Sequence, residues 1–148
     1  MSHVVRFLEG VGLDAAGRTV AQVLAFDDDA LERHHDFIQW LFPLSDKSAA
    51  VPGSPVLSQA DIAEIRGSAK AQWSLMQGAE AMADFYETTT HWLTPTNHNH
   101  LRITRIIKSL RLLCADAAAD YFRERILLRV RATAAPVCKV SRDYWAKA

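Results

Sequence analysis

Alternating apolar and polar residues are missing from this chain, so no stretch reads as a half-buried strand and the fold class expected is all-α. Cysteine is scarce. Cys114 and Cys138 are the two present, with no CxxC spacing between them, which excludes a disulfide scaffold and leaves two reduced, packed thiols. No apolar run approaches the ~20 residues a membrane helix requires. The opening MSHVVRFLEGVGLD carries acidic residues and no long apolar stretch, so it is not a secretory signal and the protein is expected in the cytoplasm. HExxH, GxSxG, a P-loop and GxGxxG are all absent, and with them the commonest marks of a metal, a nucleophile or a nucleotide cofactor. No cofactor, metal site or catalytic residue is therefore assigned. Internal repeats and low-complexity tracts are also lacking.

What is present is a composition of 49% apolar and 23% charged residues over 148 positions. That suits one soluble domain spanning residues 1–148, long enough to bury roughly 70% of its unfolded surface in a single core. The chain is neutral overall, but its halves are not. Residues 1–92 hold 6 basic and 13 acidic side chains, and residues 93–148 hold 11 basic and 4 acidic ones. Two readings follow: acidic and basic helices face one another, or the second half presents a basic surface to an anionic partner such as nucleic acid.

Punctuation and periodicity predict a compact bundle of about six to seven helices. After a short apolar opening at residues 4–8 and a glycine-rich stretch, a short helix is expected at 19–25. Asp27, Asp28 and Asp29 then supply cap and first-turn charge for a helix running to about Phe42, where Pro43 ends it. Residues 45–57 (SDKSAAVPGSPVL) form one long Pro/Gly/Ser loop of the kind used as a lid or binding loop. Ser58 and Asp61 make a capping box for the next helix. A longer one spans about 69–86, with Trp73, Met76, Met82 and Phe85 as its apolar stripe. The connector 88–97 leads, with Thr94 or Asn97 as cap, to a helix at about 96–113 whose stripe is Ile103, Ile106, Ile107, Leu110 and Leu113. A sixth helix is expected at about 115–131, burying Ala118, Tyr121, Phe122, Ile126 and Val130. A last short helix would dock Val137, Val140, Tyr144 and Trp145.

Two segments concentrate chemistry. In HDFIQWLFP (residues 35–43) nearly the whole girth from Phe37 onward is apolar, so His35, Asp36 and Gln39 must find partners or edge a pocket. In HNHLRITRIIKSL (residues 98–110) Arg102, Arg105, Lys108 and Arg111 recur every three residues and form a basic ridge that needs acids opposite. Asp36 is the carboxylate expected against Arg102 or Arg105. The letters HNH at 98–100 do not make a nuclease motif, which needs strands, and histidines two apart at a helix start rarely reach one metal.

HDFIQWLFPL, the loop after it, the SQADI opening at 58–62 and HNHLRITRIIKSL resemble the conserved N-terminal region of the opioid growth factor receptor family, over about residues 5–145. The resemblance implies kinship with animal proteins that bind enkephalin, associate with the nucleus and its envelope, and carry long, often repetitive tails. It maps onto His35, Asp36, Gln39 and Trp40 in the first motif, and onto Asn99, Arg102 and Arg105 in the second. It implies no catalytic role for them.

The function expected is a non-catalytic binding module. A groove between the 28–42 and 96–113 helices would take a peptide or small anionic ligand, with Trp40 stacking, Arg102 and Arg105 gripping a carboxylate, and His35 and Gln39 adding directional bonds. The alternatives are nucleic-acid binding through the arginines of the second half, or an enzyme using a histidine and a carboxylate as acid and base.

Overall fold

The computed structural model describes residues 1–148. It contains nine helices: α1 His3–Leu8, α2 Val20–Leu24, α3 Asp28–Arg33, α4 Ile38–Leu41, α5 Gln59–Gly67, α6 Ala69–Thr88, α7 His98–Leu113, α8 Asp116–Thr133 and α9 Lys139–Lys147. The only β pairing is an isolated bridge between Leu44 and Val56, so the all-α expectation holds. All nine helices contribute to one cluster of 34 buried apolar residues. No helix is long and apolar enough to cross a membrane.

Local chemistry explains where the helices begin. Asp27 caps α3 by accepting from Ala30 N at 2.8 Å. Ser58 and Asp61 close the expected capping box on α5, each accepting from the other's backbone N–H at 3.1 and 2.9 Å. Thr19 and Gln22 form a second such box on α2. Asn97 caps α7. Leu57 N donates to Leu44 O at 2.9 Å and pins the base of the 45–57 loop.

The expected helix from 28 to 42 is in fact two. His34 lies in extended geometry, at φ −83° and ψ 128°, and separates α3 from α4. A break exposes carbonyls that an unbroken helix would satisfy internally, and here α7 supplies the donors. Arg102 donates to Leu31 O at 2.8 Å and His34 O at 2.7 Å, Arg105 Nε to Phe42 O at 2.9 Å, and Ser109 Oγ to Pro43 O at 2.9 Å.

Several facing assignments are corrected. In α6, Met82 and Phe85 are buried, but Trp73 and Met76 are 60% and 43% exposed. The helix turns Ala71, Ser74, Gly78 and Ala79 inward instead, because small residues let neighbouring helices approach. Tyr121 of α8 faces solvent with the Arg125 guanidinium 5.8 Å from its ring. In the last segment Val137 and Trp145 are buried while Val140 and Tyr144 are exposed. The stripe of α7 is as expected, with all five aliphatics fully buried.

Candidate functional site

The two motif-bearing segments do lie side by side, but their polar groups sort into different tasks. Arg102 is buried, with both terminal nitrogens committed to carbonyls and its guanidinium 5.6 Å from the centre of the Phe37 ring. Arg105 is committed through Nε, and burial pushes its pKa down to about 10 with no acid opposing it. The expected pairing of Asp36 with either arginine does not form. Asp36 instead accepts from Arg18 at 2.8 Å, and Arg18 also binds Asp14 at 2.7 Å. The α7 arginines are consumed by the backbone of the α3–α4 junction, and Arg18, which precedes α2, folds back onto Asp36 instead. Gln39 is buried, and its Oε1 has no partner. Trp40 turns away from these groups. It packs edge-on against Phe7 at 5.7 Å and lines a cavity of about 300 Å³ with Ser2, His3, Val4, Gly53, Pro55, Val56 and Asp61.

His35 and Asn99 meet elsewhere, around a carboxylate that the sequence did not single out. Glu32, in the last turn of α3, accepts from His98 at Oε1 and from His91 at Oε2, each at 2.8 Å. The Asn99 amide nitrogen donates to Glu32 Oε2 and to Asn97 Oδ1, both at 3.0 Å, and Asn99 Oδ1 accepts from the buried Tyr86 hydroxyl at 3.0 Å. Those bonds orient the amide and use both of its hydrogens. The nearby imidazole Nε2 atoms must then be the donors to Glu32, which leaves each Nδ1 as an acceptor when its ring is neutral. The His35 ring lies 5.2 Å from that of His98.

Electrostatics follow from this geometry. Burial raises the Glu32 pKa, but hydrogen bonds from Asn99 and His91 and the charges of His91 and His98 outweigh it, so Glu32 titrates below the ordinary range. Burial, with the charges of Arg102 and His35, holds His98 below its usual value despite Glu32. The site is open to solvent, with Glu32, His91 and His98 side chains 31%, 41% and 44% exposed. No group of three or more His, Cys, Asp or Glu side chains is placed to hold a metal ion. The Asn99 amide nitrogen stands within 3.4 Å of both imidazole nitrogens, where a cation would have to sit.

The arginines of the second half are largely committed. Arg125 binds Glu80, Asp84 and Glu87 of α6 at 2.7–3.1 Å, across the two oppositely charged halves. Arg111 holds Asp116 and Asp120, and Arg123 shares Asp120. Arg129 donates to Thr89 O at 3.2 Å. Arg131, 59% exposed, contacts Glu124 at 3.4 Å.

The histidines at 91 and 98 are the sequence signal that could have pointed to this surface. Glu32 had none, because its partners lie 59 or more residues away.

The model of the opioid growth factor receptor conserved region matches residues 16–134, a span that holds every residue of this cluster. The rat opioid growth factor receptor is 32% identical over 100 residues, which is 55% of this chain and 17% of the rat protein. The human opioid growth factor receptor is 32% identical over 100 residues, covering 55% of this chain and 15% of its own length. Opioid growth factor receptor-like protein 1 of Xenopus tropicalis is 31% identical over 102 residues, 57% of this chain and 20% of its own length. The chain thus spans a fifth or less of each of these three relatives. No solved structure matches it. A family model covering most of the chain, with relatives near 30% identity inside it, establishes that this protein belongs to the opioid growth factor receptor conserved-region family.

Proposed function

We propose that this domain is a non-catalytic, cytoplasmic binding module that takes a short peptide at the seam between α3 and the start of α7. The observation that carries the reading is Glu32: a carboxylate held ionised, open to solvent, and fixed in place by His91, His98 and Asn99. Oε1 receives a hydrogen bond from His98 and keeps a second lone pair for a donor from outside. The tilted imidazoles of His35 and His98 add a flat flank beside it.

Such a surface suits a positive group next to an aromatic one, as at the free amino end of a peptide with an aromatic first residue. Support also comes from the relatives, whose name denotes a receptor for an opioid growth factor. On this reading the ligand's amino end lies at Glu32, and Arg102 takes no direct part, since both its terminal nitrogens are already bonded.

Calorimetric titration with short aromatic-ended peptides tests the reading. Binding is expected for peptides with a free amino end, and loss of binding for the same peptides acetylated there or for Glu32→Gln. Equal affinity for free and acetylated forms, or no heat with any of them, would overturn it.

A further inference from the structure

A second chain of polar groups begins at His100, one residue beyond Asn99 at the start of α7, and runs away from Glu32 toward α9. Cys138 occupies the position just before α9. Its Sγ is 3.4 Å from Ser141 Oγ, that oxygen is 2.8 Å from His100 Nδ1, and His100 Nε2 is 2.8 Å from the carbonyl oxygen of Trp92. A carbonyl can only accept, so Nε2 carries the hydrogen. In the neutral ring Nδ1 is then a bare lone pair. Ser141 must donate to it, which turns the hydroxyl oxygen toward the thiol as an acceptor. Each donor has one acceptor, and the direction runs from sulfur to imidazole.

The relay is rigid at its inner end and open at its outer one. His100 and Ser141 are buried, while Cys138 is half-buried. The rings of Trp145 and Trp92 stand edge-on around His100 at 5.4 and 6.4 Å, and Trp145 Nε1 and Thr104 Oγ1 both donate to the His100 carbonyl. The sulfur also sits at the positive end of a nine-residue helix, where a thiolate is favoured. The Ser141 hydroxyl first, then the backbone N–H groups of Ser141 and Val140, hold the Cys138 pKa below the ordinary thiol value. Cys114 is the contrast within the same molecule, since burial alone pushes its thiol up to about 11.

We propose that Cys138 is a reactive thiol, a modification site for small hydroperoxides, whose proton leaves through Ser141 to His100. The thiol proton passes to the Ser141 oxygen as the serine proton passes to His100 Nδ1. The thiolate then attacks one peroxide oxygen; the S–O bond forms as the O–O bond breaks. Sulfur is oxidised by two electrons to the sulfenic acid, and the peroxide is reduced. The departing hydroxide or alkoxide takes back the proton held on His100 and leaves as water or an alcohol.

The test is alkylation of the native protein by iodoacetamide at neutral pH, followed by peptide mapping, with Cys114 and a free cysteine peptide as references. Cys138 is expected to react about twofold or more faster than the free peptide, because a lowered thiol pKa raises the thiolate fraction more than it reduces nucleophilicity. Ser141→Ala should remove that gain and raise the apparent pKa read from thiolate absorbance, and Ser141→Thr should restore both. Hydrogen peroxide should convert Cys138, and not Cys114, to a dimedone-trappable sulfenic acid. Cys138 reacting no faster than the peptide would overturn the proposal. Unchanged kinetics in a folded Ser141→Ala protein would remove the relay, and no sulfenic acid at Cys138 would remove the hydroperoxide assignment.

Discussion

Arg102 reaches from α7 to the α3–α4 junction, where its NH2 group donates to the carbonyl of His34 at 2.7 Å while NH1 holds Leu31. One side chain thereby caps the carboxy end of a helix 68 residues away in the chain. The guanidinium is charged, buried and planar over Phe37, and those features belong to arginine and not to lysine.

Arg102→Lys is therefore expected to cost about 2 kcal/mol, since a lysine ammonium cannot satisfy two diverging carbonyls in that geometry. Urea unfolding should show a lower midpoint with an unchanged slope. Arg131→Lys, at an exposed position, should shift stability by less than about 0.5 kcal/mol. Equal effects of the two would mean that Arg102 does not hold the junction.

Gly78 lies inside α6, where alanine would ordinarily raise helix stability by about 1 kcal/mol. A Cβ there would meet Cδ2, Cγ and Cδ1 of buried Leu41 at 2.8, 2.9 and 3.0 Å. Overpacking of about 1–3 kcal/mol exceeds the helical gain, so Gly78→Ala should lower Tm by a few degrees. Leu41→Ala in the same molecule should relieve part of that penalty, visible as a coupling in a double-mutant cycle. A rise in Tm for Gly78→Ala would contradict the close approach of α4 to α6.

Acid should destabilise the fold in two stages, with signs set by the Glu32 cluster. His98 has a folded pKa below its ordinary value, so the unfolded chain binds its proton more readily and stability falls as pH drops through about 6.5. Glu32 also has a lowered pKa. Its contribution is complete above about pH 5 and is lost as pH falls through the unfolded value of about 4.3 and on past the folded one. Unfolding free energies measured from pH 8 to 3 should show both declines, and Glu32→Gln should flatten the lower one. An unaltered lower decline in that variant would show that Glu32 is not stabilised by its neighbours.

The site illustrates how far local signals reach. His35 and Asn99 stand out because each sits in a dense motif, and both come to lie beside the His98 ring. Glu32 was not visible, since a lone glutamate in the last turn of a short helix is ordinary until His91, His98 and Asn99 are folded against it. Asp36 was paired with the wrong arginine for the same reason. Its true partner, Arg18, lies in a segment whose glycines disguised any register. Trp73 and Met76 have the size of core residues, yet α6 turns them outward and buries Ala71, Ser74 and Gly78 beside Leu75, Met82 and Phe85.

By itself the sequence determined the all-α class, the cap at Ser58 and the buried aliphatic stripe of α7, and it narrowed the caps of α3 and α7 to a few residues that include Asp27 and Asn97. Caps and periodicity act within a few residues, where hydrogen-bond reach and the helical repeat leave little choice. Only the tertiary structure decided that the 28–42 helix breaks at His34, that Arg102 serves the break, and that Glu32 gathers two histidines. Each of those outcomes matches an unsatisfied group to a donor or acceptor tens of residues distant, and no local pattern records which of several similar side chains will arrive.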